Sequence, residues 1–220
     1  MGGLVLGLEE AGRGPVIGPM TICGVLIEDE KIKKLMEIGV KDSKMLSPEK
    51  RKELFPQIQK LAKKHCVISV SPEEIDGRES NGLNLNELEA VKMAEIINEL
   101  KPDKAIIDTP SVNIKSFEKF LKTHLTHECE LVCEHKADIK YPVVSAASIL
   151  AKVVRDAEIM ELERKLNLKI GSGYPSDPET QKFLEKYWSK LSQLPFVRKT
   201  WATVSDVYEK KTQKNINDFF

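Results

Sequence analysis

Short apolar segments rich in β-branched residues alternate with helix-forming segments along most of this 220-residue chain, and this alternation strongly limits the folds that it can adopt. The pattern predicts strands over residues 4–10, 20–28, 66–71, 104–108 and 128–135. It predicts helices over residues 30–39, 47–65, 84–102, 114–125, 141–166 and 176–191. Little helix separates the first two strands, whereas helices separate the later ones. We therefore expect an α/β fold with a mixed sheet.

The predicted helices differ in how they should pack. The helix over residues 141–166 is apolar nearly all round in its first half, so we expect that half to be buried. Pro56 is expected to kink or split the helix over residues 47–65. Roughly the last 60 residues contain helices only, which predicts a cap on one side of the sheet. Trp188 and Trp201 lie in apolar helical contexts, which favours packing over base stacking.

The charge of the chain is balanced but unevenly distributed. It has 34 Lys and Arg against 34 Asp and Glu, so bulk charge does not attract it to nucleic acid. Residues 181–220 nevertheless carry eight basic and four acidic residues, which leaves room for a local basic surface. No apolar run approaches the roughly 20 residues that cross a bilayer, and the start lacks the basic segment of a signal peptide. We expect a soluble, cytoplasmic protein.

Four acidic residues stand where apolar segments end. Glu9 and Glu10 close the first predicted strand, and Asp108 closes the fourth. Asp138 lies between the fifth strand and the long buried helix. Ligands of open α/β sheets gather beyond the carboxyl ends of the strands, and carboxylates that converge there repel one another unless a cation is present. The pattern leaves two interpretations open: a site for Mg²⁺ or Mn²⁺, which prefer oxygen ligands, or solvated surface acids.

A glycine-containing loop, Gly12-Arg13-Gly14, follows the first acidic pair. It does not match a dinucleotide-binding loop, because the glycine spacing is off by one and Pro15 and Pro19 prevent a helix from starting there. Glycines without Cβ atoms let the backbone approach a ligand closely, and the guanidinium between them suits a phosphate. The alternative is a plain tight turn.

Five segments together resemble the ribonuclease HII family of the archaeal type. They are GLEEAGRGPVIGPM (7–20), VKDSKMLS (40–47), IIDTP (106–110), EHKADIKYPVVSAASILAK (134–152) and GSGYPSDP (171–178). The segments match the family's conserved blocks in order and spacing, and the likeness covers most of residues 4–205. The resemblance implies a ribonuclease H-like fold, a mixed five-stranded sheet with flanking helices and a C-terminal helical extension. The implied domains are a catalytic domain over 1–166, a helical cap over 167–205 and a tail over 206–220.

The same resemblance implies a metal-dependent ribonuclease H of type 2. Such an enzyme cleaves RNA in RNA–DNA hybrids and cuts 5′ of ribonucleotides embedded in duplex DNA, leaving 3′-hydroxyl and 5′-phosphate ends. These activities belong to DNA replication and ribonucleotide excision repair. We expect two Mg²⁺ or Mn²⁺ ions and a monomer.

The resemblance also assigns roles to individual residues. The catalytic and metal-binding carboxylates would be Glu9, Glu10, Asp108 and Asp138. The residues that read the ribose 2′-hydroxyl would be Gly12, Arg13 and Gly14. Tyr174 would pack against the ribose beyond the junction, and Lys41 and Lys44 would hold phosphates.

Two positions depart from the family pattern. Glu9 stands where the family has Asp, and its extra methylene displaces the carboxylate by about an ångström, a shift that can cost ~10²-fold in rate. Ala202 stands where the family usually has a basic residue. The departure at Glu9 keeps an alternative open, namely an attenuated or non-catalytic protein that binds RNA–DNA junctions and is tethered to the sliding clamp.

The C-terminal residues resemble the motif by which proteins bind the sliding clamp of the proliferating cell nuclear antigen type. The matching residues are Gln213, Ile216, Phe219 and Phe220. A single helical turn would place the three apolar side chains on one side as a hydrophobic plug. The alternative is that the tail folds back onto its own domain.

Overall fold

The computed structural model describes residues 3–40 and 43–213, and for Lys44 the backbone only. The strands are β1 Leu4–Ala11, β2 Met20–Glu28, β3 Lys64–Val70, β4 Lys104–Asp108 and β5 Glu130–Glu134. The α-helices are α1 Ile32–Glu37, α2 Pro48–Leu61, α3 Pro72–Gly77, α4 Leu85–Leu100, α5 Ile114–Lys122, α6 Ala137–Lys140, α7 Pro142–Leu166, α8 Pro178–Lys186 and α9 Ala202–Thr212. Short 3₁₀ turns lie at Asp29–Lys31, Ser43–Met45, Glu79–Asn81 and Trp188–Gln193.

The strands form one mixed sheet in the order β3-β2-β1-β4-β5. The first three strands pair antiparallel, whereas β1–β4 and β4–β5 pair parallel. Helical crossovers precede β4 and β5, as parallel connections require. The carboxyl ends of β1, β4 and β5 therefore meet at one edge of the sheet, and the predicted α/β fold with a mixed sheet is confirmed.

Each face of the sheet is covered by a different helix layer. One face packs against α7, where every residue from Val143 to Ala151 is buried, as expected. A Cβ atom at Gly7 would lie 2.4 Å from the Val143 backbone, so glycine allows α7 to approach β1 this closely. The other face packs against α4 and α5, whose buried residues include Ile96 and Phe117. The sheet is thus held between two apolar layers.

A third apolar core joins the loop after β1 to the C-terminal region. Val16 and Ile17 from that loop are fully buried among Phe183, Leu191 and Val197. Ile17 pairs with Val197 as an isolated β-bridge. The C-terminal helices therefore cover the chain immediately beyond the acidic pair of β1. Helix α9 crosses the expected boundary between residues 205 and 206.

Some predictions of local structure were wrong. Helix α2 is not split at Pro56. The ring removes the hydrogen bond to the carbonyl of Lys52, but both residues are exposed, so water can reach that carbonyl. Helices α3 and α9 were not predicted. Trp201 packs as predicted, between the second and third cores. No helix within the described ranges is long and apolar enough to span a membrane.

Candidate active site

Three of the four predicted carboxylates meet at the carboxyl edge of the sheet. Leu8 of β1 pairs with Ile107 of β4, so the next residues, Glu9 and Asp108, stand side by side where both strands end. Asp138 is carried to the same edge by the short helix α6 that follows β5. One oxygen from each carboxylate can be chosen such that all three lie within 4.8 Å of one another. We name Glu9, Asp108 and Asp138 the carboxylate triad.

Two of the three members of the triad are buried, Asp108 is partly buried, and the negative charges of Asp108 and Asp138 act on Glu9. Glu9 is only 7% exposed and Asp138 only 1%. Burial raises the pKa of Glu9 well above its usual value, and the negative charges of Glu10 and Asp108 raise it further, whereas Lys152 opposes the rise. Glu9 Oε2 is buried and accepts no hydrogen bond from any described residue. Converging oxygen ligands with an unused buried lone pair fit a hard divalent cation such as Mg²⁺ or Mn²⁺.

Glu10 is not a member of the triad. Successive side chains of a strand point to opposite faces, and Leu6 and Leu8, which share the parity of Glu10, pack against the α4 layer. Burial raises the pKa of Glu10 to about 7, Arg13 opposes that rise, and Asp108 adds to it. Glu10 therefore stands at the strand end between the triad and a second charged group on α4.

This second group consists of Glu10, Arg13 and Glu89, and we name it the α4 cluster. The Arg13 guanidinium forms an ion pair with the fully buried Glu89 and donates a 2.8 Å hydrogen bond to Asn86 Oδ1. Burial raises the pKa of Glu89 to about 8, with Glu10 adding to the rise and Arg13 opposing it. The guanidinium expected beside a phosphate is thus engaged with helix α4, which leaves the backbone of the loop for contacts with a ligand.

The glycine-containing loop and Tyr174 line one cleft of about 380 Å³ together with the acidic pair. Gly12 has a φ of 77°, and a Cβ atom there would lie 2.8 Å from the carbonyl oxygen of Pro19. Tyr174 is 40% exposed, and its ring faces Gly14, where an added Cβ would lie 3.8 Å away. The cleft therefore combines carboxylates, a glycine backbone without Cβ atoms and an exposed aromatic ring that can contact a ligand.

Sequence reasoning missed the basic residues of this cleft. Lys152 and Arg155 of helix α7 and Arg51 of helix α2 also line it. The sequence signal for the two α7 residues is a change in the surface of that helix. An all-round apolar surface gives way to polar residues at helical spacing, namely Ser148, Lys152 and Arg155. Lys152 Nζ donates to Ser148 Oγ at 2.7 Å.

Arg51 and Arg155 bind the backbone carbonyls of segments next to the cleft. Arg51 donates to the carbonyls of Ser43 and Leu46 at 3.2 and 2.7 Å, next to the predicted phosphate-binding segment. Arg155 donates to the carbonyl of Ser172 at 2.6 Å and lies 5.2 Å from the centre of the Tyr174 ring. Both therefore fix segments that carry predicted substrate contacts.

Several predicted site residues cannot be placed in the cleft. Lys41 lies outside the described residues, and for Lys44 only the backbone is described. Gln213 is exposed at the end of helix α9. The other three residues of the clamp motif, Ile216, Phe219 and Phe220, lie outside the described residues.

A mixed five-stranded sheet with flanking helices and acids at its carboxyl edge places the chain in the ribonuclease H-like class. The model of the family "Ribonuclease HII" matches residues 6–204. A ribonuclease HII of Pyrococcus furiosus is 47% identical over 97% of both chains. The chain belongs to the ribonuclease HII family and is a ribonuclease H of type 2.

Two solved structures have the same fold at substantial identity. The ribonuclease H2 of Pyrococcus horikoshii OT3 is 43% identical, with a TM-score of 0.86 over 96% of this chain and 100% of that chain. The ribonuclease HII of Archaeoglobus fulgidus, solved as a complex with PCNA, is 41% identical, with a TM-score of 0.84 over 98% and 100%. The predicted ribonuclease H-like architecture is thereby confirmed.

Proposed function

We propose that this chain cleaves the RNA strand of RNA–DNA hybrids and cuts 5′ of single ribonucleotides embedded in duplex DNA, leaving 3′-hydroxyl and 5′-phosphate ends. The observation that carries the proposal is the position of the carboxylate triad, whose member Glu9 lines one cleft with the Gly12–Gly14 loop. A phosphodiester held against the triad would have its neighbouring ribose close to that loop. Metal chemistry and sugar recognition would then act on the same nucleotide.

Glu9, Asp108 and Asp138 would hold the divalent cations, with Glu10 joining one of them from the strand end. Two bound ions supply an activated water and neutralise the charge that develops on the leaving 3′-oxygen. The protein contributes buried carboxylates whose repulsion is relieved when cations bind. Lys152, whose positive charge acts on Glu9, limits that repulsion in the free protein.

The loop and Tyr174 would distinguish RNA from DNA. The 2′-hydroxyl is the group that marks a ribonucleotide, and it both donates and accepts hydrogen bonds. Because the Arg13 guanidinium is engaged with helix α4, backbone groups of residues 12–14 are the ones offered to the sugar. The Tyr174 ring would pack against the next ribose, and Lys41 and Lys44 would hold the phosphates, contacts that position the strand without reading sequence.

A cleavage assay on an end-labelled DNA duplex that contains one ribonucleotide tests the proposal. We expect a single cut 5′ of the ribonucleotide in Mg²⁺ or Mn²⁺, none in EDTA, and no cut in the all-DNA duplex. Ligation of the products, which needs a 3′-hydroxyl and a 5′-phosphate, checks the polarity of cleavage. Cleavage in EDTA, or equal cleavage of both duplexes, would contradict the proposal.

The alternative function, an attenuated junction-binding protein, depends on Glu9. The carboxylate of Glu9 reaches the other two members of the triad despite its longer side chain. This geometry favours the enzyme over an inert binder. The assay above separates the two, since a binder would retain the duplex without cutting it.

We propose that the C-terminal tail tethers the enzyme to a sliding clamp. Helix α9 ends at Thr212, so Gln213, the first residue of the motif, lies directly after this helix. The solved complex of PCNA with ribonuclease HII from Archaeoglobus fulgidus supports this proposal. We expect the chain to co-elute with a trimeric clamp in gel filtration and the double variant F219A/F220A to elute alone. Unchanged co-elution of that variant would refute the role of the motif.

A further inference from the structure

The loop that is proposed to read the sugar is bound from behind by one buried arginine. Arg198 lies between helices α8 and α9 and is fully buried. Its Nε donates to the carbonyl of Gly18 at 2.9 Å, one terminal nitrogen donates to the carbonyl of Arg13 at 2.7 Å, and the other to that of Gly12 at 2.6 Å. All three side-chain nitrogens therefore bind the loop after β1, which lies about 180 positions earlier in the sequence.

Core stability alone does not explain this arrangement. Burying a charged group is unfavourable unless its partners compensate, and an apolar residue of similar size is often as good or better. The donors of Arg198 go to neutral carbonyls and not to a carboxylate. Burial lowers the pKa of Arg198 to about 9, so the guanidinium is still charged at neutral pH. What the arginine does provide is three donors in a rigid planar fork, which fix three carbonyls at once.

Fixing those carbonyls also fixes the amide groups beside them. In a trans peptide the N–H points away from the C=O. By holding the carbonyls of Gly12 and Arg13, Arg198 turns the N–H groups of Arg13 and Gly14 to the opposite side of the loop. Neither N–H donates a hydrogen bond to another described residue. The loop residues line the cleft, whereas the fully buried Arg198 does not.

The segment that carries Arg198 is itself anchored. The backbone N–H of Arg198 donates to the carbonyl of Val16 at 2.9 Å. Trp201 lies under the guanidinium at 4.9 Å, and its Nε1 donates to the carbonyl of Gly14 at 3.2 Å. Asp76 accepts hydrogen bonds from the N–H groups of Lys199 and Thr200 at 2.8 and 3.1 Å.

We propose that Arg198 is a positioning residue for sugar discrimination, which orients the Gly12–Gly14 backbone so that the enzyme distinguishes ribose from deoxyribose. The inference rests on the proposed function, because it needs the loop to contact the sugar. It gives the C-terminal extension a role in substrate selection, through a side chain that never touches the substrate.

The test compares Arg198→Lys with wild type at a temperature where both are folded, as checked by circular dichroism. Lysine keeps the charge but cannot hold three divergent carbonyls. The readouts are the affinities, in Ca²⁺, for a single-ribonucleotide duplex and for the matching DNA duplex, and kcat and KM in Mg²⁺. We expect the affinity ratio to fall by about tenfold or more, since displacement of about an ångström has effects of this size or larger. The Mg²⁺ concentration for half-maximal rate should not change, because the triad is untouched.

Two further variants keep the test decisive. Arg164→Lys, an exposed arginine on α7 that pairs with Glu161, serves as the matched control and should behave as wild type. Trp201→Phe removes the hydrogen bond to the Gly14 carbonyl and part of the ring under Arg198, and it replaces Arg198→Lys if that variant fails to fold. A smaller fall in the affinity ratio is then expected. A lower melting temperature with an unchanged affinity ratio would overturn the positioning role alone. A wild-type enzyme with no preference for the ribonucleotide would overturn the proposed function as well.

Discussion

Two acidic clusters lie at the end of strand β1, and they differ in how the repulsion between their carboxylates is offset. The carboxylate triad gathers acids from β1, β4 and α6 on the α7 side. The α4 cluster gathers two acids and Arg13 on the other side. Both clusters are largely removed from water, and burial is the main cause of the raised pKa values of Glu9, Glu10 and Glu89.

The difference between the clusters lies in the source of the positive charge. In the α4 cluster, Arg13 forms a direct ion pair with Glu89, so the protein supplies the cation. In the triad, the positive charge of Lys152 lowers the pKa of Glu9, but burial and the negative charges of Glu10 and Asp108 outweigh it. We infer that the α4 cluster holds its own counter-ion, whereas divalent cations would supply positive charge beside Glu9.

The largest expected effect comes from removing one charge of the triad. Asp138→Asn should remove several kcal/mol of transition-state stabilisation. The rate of cleavage of the single-ribonucleotide duplex should therefore fall roughly a thousandfold. Asp138→Asn should also reduce the rise in melting temperature that Mg²⁺ produces, because one carboxylate of the triad is lost. Scanning calorimetry with and without Mg²⁺ checks this, since cations that bind the folded state raise the wild-type transition.

Asp156→Asn is the matched control. Asp156 lines the cleft together with Glu9 but is not a member of the triad. Its loss of activity should be far smaller, and Mg²⁺ should still raise its melting temperature. Full cleavage by Asp138→Asn would remove that residue from the reaction. A Mg²⁺-induced rise in the melting temperature of Asp138→Asn as large as that of wild type would mean that Asp138 holds no cation.

The second effect comes from removing the cation of the α4 cluster. Arg13→Met leaves Glu10 and Glu89 without their counter-ion and should lower the free energy of unfolding by about 1–3 kcal/mol. The folded-state pKa of Glu89 is raised, so its protonation favours folding, and stability falls as the pH rises from about 4.5 towards 8. The loss on substitution should therefore be larger at pH 9 than at pH 6, as urea denaturation can show.

An exposed arginine provides the comparison for this variant. Arg164→Met removes a surface ion pair with Glu161 and should change stability far less than Arg13→Met does. A loss for Arg13→Met that is no greater than that for Arg164→Met would show that Arg13 is not the counter-ion of the α4 cluster. The two clusters would then not differ in the way that their geometry suggests.

Periodicity and chain order were enough to predict the main strands, and they left the convergence of the strand-end acids as one of two interpretations. β-Branched apolar runs defined β1, β2 and β4 to within a residue at each end. Parallel strands that share an edge bring their last residues together, which is why Glu9 and Asp108 lie side by side in the fold. Burial of the first half of α7 followed from its continuous apolar surface.

What could not be predicted depends on contacts between distant parts of the chain. Nothing in the local pattern around Arg13 indicates that its side chain pairs with Glu89, which is 76 positions away. Arg198 has no periodic or motif signal either, since its partners are backbone carbonyls that any residue provides. Side chains that act by holding other segments leave a weaker mark in sequence than side chains that perform chemistry.

The smallest expected effect sharpens the assignment of Glu9 to the triad. Glu9→Asp shortens the side chain by one methylene and restores the residue type of the family pattern. Because the Glu9 carboxylate already lies within 4.8 Å of its partners, we expect the rate of cleavage to change by less than about tenfold, well below the ~10²-fold that an ångström of misplacement can cost. Single-turnover cleavage at saturating Mg²⁺ measures the change in the chemical step.

Glu10→Asp shortens the neighbouring side chain by the same methylene and serves as the control. It moves a carboxylate that lies outside the triad and interacts with Arg13 and Glu89 as well as Asp108. A gain of about 10²-fold for Glu9→Asp would mean that the longer arm misplaces the carboxylate by the full ångström. In that case the wild-type chain is attenuated, and the triad has not accommodated glutamate as closely as its position at the strand end indicates.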